Sequence, residues 1–259
     1  MAKSQIIKDL ANGNTDLQTA LKRTKVLLQE FDDEKLLEWI NYEIEGYPLI
    51  DNLPEYRKIS GQLYGTYYKG SMASHMTYNH VPLPLGDMPQ DDIKVLLTTN
   101  ISQGIEALKS MIMESEKGDN RGLSKVVPAD YYPIIATYNN DPYMIIVTAT
   151  VELNMPQIRN IFPKVEKKLL DILRYLEKKF GNLDDLDIDV ESKSEQELKE
   201  ITNHIYVMIY NDQSITIGDK NKTQLPPSED GGLLWSKDHF LRLKVACRLK
   251  PVSFATKVA

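Results

Sequence analysis

Residues 46–48, Gly-Tyr-Pro, bring a helix to a forced stop, and this stop constrains the fold more than any other short stretch of the chain. Proline lacks the amide hydrogen that a helix needs, and its ring blocks the preceding turn. Glycine readily takes the backbone that closes a helix C-terminus. Upstream, residues 33–47 (DEKLLEWINYEIEGY) carry Leu36, Leu37, Ile40 and Ile44 at helical spacing, with Trp39 on the flank. Asp32 or Asp33 can cap the start of that helix. Before it, residues 15–31 repeat Leu17, Leu21, Thr24, Leu28 and Phe31 every three or four positions, and Asn14 or Thr15 can cap. Such periodicity buries one helical face. The turn between the two helices is short, which predicts an antiparallel hairpin. A shorter helix, SQIIKDLA at 4–11, precedes them.

After the stop the period changes. Residues 56–70 (YRKISGQLYGTYYKG) are rich in Tyr, Ile and Thr and read as a strand. Gly61 and Gly65 within it mark a bulge or a close backbone approach. Residues 70–90 hold Pro82, Pro84 and Pro89 and read as an ordered loop. Residues 101–115 return to helix, with Ile101, Ile105, Leu108 and Ile112 on one face. Residues 142–153 (PYMIIVTATVEL) form the clearest strand. A long helix follows over 157–182, with Val165, Leu169, Ile172, Leu173, Leu176 and Phe180 as its buried stripe and Pro163 either a kink or a later start. Residues 183–200 are acidic and read as a linker or a short helix after Ser194, and 201–223 alternate like a strand. The expected class is α+β: an N-terminal helical hairpin packed on a small, mostly antiparallel sheet with a long closing helix, then a strand-bearing C-terminal tail.

Several chemistries find no support in the sequence. His75, His80, His204 and His239 are scattered and make no metal motif, and the single cysteine, Cys247, can form neither an intramolecular disulfide nor a cysteine-based metal site. Asp184, Asp185, Asp187 and Asp189 lack the glycine and terminal glutamate of a calcium loop. No phosphate-binding loop and no nucleophile elbow occur, so no cofactor is expected. A nuclease needs clustered carboxylates with a lysine behind a strand, and the nearest candidates are Glu55 with Lys58, or Asp141 and Glu152 around the strong strand. Lys164 to Lys179 form a basic run interleaved with acids, which reads as a solvated face. Net charge is −6, against a broad nucleic-acid surface, but residues 224–259 hold six Lys/Arg and three Asp/Glu. The most apolar run, 144–151, is too short to cross a bilayer as a helix. A soluble cytoplasmic protein is expected, with no membrane partner.

Trp39 reads as core, since a large aromatic beside an apolar stripe is usually buried. Arg57 stands at the mouth of a strand, near a helix bearing Glu38, Glu43 and Glu45. A guanidinium can fork onto one carboxylate and fasten strand to helix.

The blocks LQTALKRTKVLLQEFDDEKLLEWINYEIEGYP and LPEYRKISGQLYGTY together resemble the AbiTii domain, a bacterial family linked with abortive infection and phage defence. Trp39, Glu43, Gly46, Tyr47, Pro54, Tyr56, Arg57, Gly61 and Gly65 stand at the places of the family pattern. ATVELNMPQIRNIFPKVEKKLLDIL resembles the family's later strand and closing helix, with Lys167 or Lys168 where an arginine is usual. The resemblance implies a domain over 1–181, a defence setting and no catalytic set. Residues 182–204 then form the linker or short helix, 205–223 a β tract that pairs between chains, and 224–259 the basic tail. The first functional reading is a sensor or effector acting by self-association or by contact with a phage or defence-system protein. A toxin enzyme such as a nuclease is the second, and nucleic-acid binding through the basic tail the third.

Overall fold

The computed structural model describes residues 3–48, 53–71, 73–117 and 122–210. The expectations for 211–223, for the basic tail 224–259 and for Cys247 and His239 lie outside these residues.

The hairpin forms from α2 (Leu17–Gln29) and α3 (Glu34–Glu45), preceded by α1 (Gln5–Ala11). Asp16, one residue beyond the expected caps, caps α2 by accepting from the Thr19 amide at 2.9 Å. Asp33 caps α3 through the amides of Lys35 and Leu36. Both caps satisfy N–H groups that a helix start leaves without partners. The face of α3 is rotated from the expected one. Leu36, Trp39, Ile40 and Glu43 are buried, whereas Leu37 and Ile44 are only half-buried. Trp39, with 1% of its surface exposed, lies within the core rather than beside it.

After a 3-10 turn at Glu55–Arg57, β1 (Lys58–Ser71) runs to a tight turn and pairs antiparallel with β2 (Ser74–Pro82). The loop expected over 70–90 is therefore corrected: residues 74–82 form a strand, and the loop is confined to 83–89. β2 is an edge strand whose residues are almost all exposed, so it lacks the apolar alternation that reveals a strand, and its prolines begin only at its last residue. Then follow α4 (Gln90–Leu97), β3 (Thr98–Asn100), α5 (Ile105–Lys117), β4 (Ser124–Val126), α6 (Tyr132–Tyr138) and β5 (Ile145–Leu153). The sheet order is β2-β1-β5-β4, with β3 pairing the start of β1, and every pairing is antiparallel.

One face of the sheet joins the core through Ile59, Leu63, Tyr67, Ala149, Val151 and Leu153. The other carries Gln62, Tyr64, Thr66 and Tyr68 of β1 opposite Glu152, Thr150, Thr148 and Ile145 of β5. It is at least partly open to solvent throughout.

A single turn, α7 (Met155–Arg159), leads to α8 (Ile161–Phe180). Pro163 sits in the first turn of α8, where its missing amide costs nothing, so it marks the start rather than a kink. Ile161, Val165, Leu169, Ile172, Leu173 and Leu176 are fully buried, and Phe180 is half-buried edge-on to Phe31 at 5.7 Å. The stripe packs on α1 and α2. The strand expected from 201 is replaced by α9 (Glu195–Tyr210), which packs on α8 and α3. Ile201, Ile205 and Ile209, at spacing four, are its buried line. Alternating and helical periods coincide over so short a β-branched run, and the α8 surface decides between them.

Candidate functional site

The family landmarks converge on the corner where α3 hands the chain to β1. Gly46 ends α3 at φ +109°, and a side chain there would come within 2.8 Å of the Ser102 carbonyl. Glycine is thus required by both conformation and space. The Tyr47 amide then donates to Ser102 O at 2.7 Å. Pro54 opens the 3-10 turn that presents Tyr56 and Arg57, and the Arg57 amide donates back to its carbonyl at 3.0 Å.

Inside the corner lies a connected polar network. The Arg57 guanidinium forks onto Glu43, Nε to Oε1 at 3.2 Å and Nη2 to Oε2 at 2.5 Å, with both side chains wholly shielded from solvent. Its Nη1 donates to the carbonyls of Ile101 and Gln103. The hydroxyls of Tyr47 and Tyr56 both donate to Glu43 Oε1, at 2.6 and 2.5 Å. Trp39 Nε1 donates to the Tyr56 hydroxyl at 3.1 Å. Of the three carboxylates in reach of Arg57, the fork thus lands on Glu43. Burial pushes the phenols of Tyr47 and Tyr56 well above the usual tyrosine range, and the adjacent Glu43 carboxylate pushes them further. Burial opposes the Arg57 charge, but Glu43, Tyr47 and Tyr56 outweigh it and hold the proton more tightly.

Every donor in this network has an acceptor, and the carboxylate is saturated. Such an arrangement fixes geometry; it offers no free nucleophile or base to a substrate. Gly61 and Gly65 serve close approach, because a Cβ at either would meet the β5 carbonyl of Glu152 or Thr148 at 2.4 or 2.6 Å. A bulge in the β1–β2 register follows at Gly65/Tyr67.

The nuclease candidates Asp141 and Glu152 are not brought together. Asp141 precedes β5 and pairs with Lys69 at 3.6 Å, whereas Glu152 lies near the far end of that strand. The strand from Ile145 to Glu152 alone spans roughly 23 Å, seven steps of extended chain. Glu152 instead meets His80 Nε2 at 2.9 Å on the open sheet face, where the His80 ring stacks on Tyr64 at 5.4 Å. His80 has a left-handed backbone, φ +47°. Asp184 accepts from the Gln5 amide, and Asp189 from the Ser192 amide. Among the described residues no group of three His, Cys, Asp or Glu could hold a metal ion, and no helix is long and apolar enough to cross a membrane.

One role was invisible to sequence reasoning. Lys168 Nζ donates to the carbonyls of Met208 and Ile209 and sits 5.7 Å over the Tyr56 ring, joining the end of α9 to the corner. A cation at the carbonyl end of a helix is favoured by the helix dipole.

A sequence profile of the AbiTii family matches residues 4–202. The chain belongs to the AbiTii family. The family's name ties this AbiTii protein to abortive infection, the bacterial response that limits phage spread. The match extends past α8 into α9, beyond the boundary expected near residue 181. No curated protein and no solved structure matches the chain.

Proposed function

We propose that this AbiTii protein serves phage defence through protein contact, as a sensor or effector that self-associates through its sheet. The observation that carries the reading is the free side of β2. This nine-residue strand pairs only with β1 among the described residues, and its other edge is left with unpaired amides and carbonyls. It carries no lysine, and its proline stands only at the end, so two of the usual devices that discourage edge pairing are missing, although a bulge interrupts the strand near His80. An antiparallel strand meeting its own copy across a two-fold axis closes both edges at once. The adjoining open face adds contact area, with Tyr64, Tyr68, Ile145 at 57% exposure and Val126 at 52%.

Sedimentation equilibrium of the purified chain tests this. The wild type should form a concentration-dependent dimer, and Met76→Lys with Thr77→Lys should leave a folded monomer. A wild type that stays monomeric, or a double variant that associates as well as the wild type, would sink the reading.

A further inference from the structure

Beside the saturated corner, on the outer side of α3, lies an open cleft of about 640 Å³ lined by Glu38, Asn41, Tyr42, Glu45 and Tyr47. Its chemistry is of one kind. The Tyr42 and Tyr47 rings stand 5.3 Å apart. At the end of α9 the Tyr206 and Tyr210 rings stand 4.3 Å apart, 40% and 44% exposed. α9 packs on α3, which brings this second pair to the helix that carries Tyr42, and burial, then Tyr206, Glu38 and Tyr42, push the Tyr210 phenol up to about 12. Glu38 and Glu45 are exposed and have no basic partner among the described residues.

Aromatic faces and carboxylates around one space attract a flat or compact organic cation: the rings offer their negative faces, the carboxylates their charge. Phosphate and other anions are repelled by the same groups. We propose that the α3 cleft, with the tyrosines at the end of α9 beside it, binds the side-chain cation of a basic peptide segment, with arginine preferred. A guanidinium matches both elements of the site, since it stacks on tyrosine while its N–H groups reach carboxylates. This surface is separate from the β2 edge, so the inference stands or falls independently of self-association.

Fluorescence anisotropy of a labelled hexa-arginine peptide, titrated with the full chain, tests it. Tyr42→Leu and Tyr206→Leu leave the net charge unchanged, and each should weaken binding roughly two- to thirtyfold, the span of a cation–aromatic contact from exposed to desolvated. Glu38→Gln should weaken it too and flatten its salt dependence, while Glu166→Gln on α8 should change nothing. Tyr206 and Glu38 are exposed, so their variants should melt with the wild type. Absence of saturable binding overturns the proposal. So does binding that ignores both tyrosine variants, which would be charge attraction alone. Spermidine competing as tightly as the peptide would overturn the assignment to a peptide in favour of a free polyamine.

Discussion

Arg57 and Glu43 meet through two hydrogen bonds in a place that water does not reach, and two tyrosines and two backbone carbonyls complete their shells. Removing one member leaves the other charged, buried and unanswered. Arg57→Met or Glu43→Leu alone should therefore destabilise the chain by about 3–5 kcal/mol. The double variant should lose less than the two single losses added together, because neither charge is then orphaned. Urea unfolding of the three proteins checks this, and additive losses would contradict it. Arg57→Lys keeps the charge but loses the fork, so it too should lower the melting temperature.

Trp39 fills the core and ties Tyr56 to the network. Trp39→Ala should cost about 3–5 kcal/mol as a large core truncation. Trp39→Phe keeps much of the volume and loses the N–H donor, so it should cost clearly less. Denaturant midpoints with unchanged slope would verify the order.

Gly46 combines a left-handed backbone with a 2.8 Å limit imposed by Ser102. Gly46→Ala should cost on the order of 1–3 kcal/mol from backbone strain, before any steric shift. Thermal melting measures it. An alanine variant as stable as the wild type would show that the corner relaxes freely.

Alkali should unfold the protein through Tyr47 and Tyr56. Their folded pKa values are raised, first by burial and then by Glu43. The stability they contribute is complete below pH 10, the ordinary tyrosine value, and declines above it, since only the unfolded phenols ionise there. Phenolate absorbance should show a late component that appears together with loss of near-ultraviolet dichroism. Tyr56→Phe should shrink it.

Acid acts through other groups. Burial, with Lys179 and Lys178 nearby, lowers the pKa of His204 below 6.5, where its ring stacks on Tyr175 at 4.3 Å. Glu177 is lowered below 4.5: burial opposes the shift, but hydrogen bonds from Ser4 prevail. Both depressions give stability that is present at neutral pH and lost as pH falls, first below about 6.5 and then below about 4.5. Melting temperatures from pH 8 to 4 should decline in that order, and His204→Phe should flatten the upper part.

Much of the fold was legible because its elements declare themselves locally. The hairpin, β1, β5 and α8 each bury a stripe, and α3 and α8 stop at a glycine. Glu43 was harder to read. A charged residue is out of place on a buried helical face until its fork with Arg57 is known, so the face of α3 could not be phased from apolar residues alone. β2 escaped because an edge strand with a solvent-facing surface needs no apolar alternation. Residues 201–210 suited either period, and contact with α8 and α3 settled the matter. For Lys168 the sequence offered only a basic position shared with Lys167, and its role stayed hidden because its partners are carbonyls about forty residues away.

Ser4 reaches across the whole domain. Its amide and hydroxyl both donate to Glu177, and its oxygen accepts from the Leu183 amide at 3.0 Å. Ser4 thus waits for residues 177–183 before it can dock. Closing so large a loop is slow relative to local helix formation. α1 is therefore a late-arriving latch, and until α8 has been synthesised its Ile6, Ile7 and Leu10 remain a sticky surface for chaperones to shield.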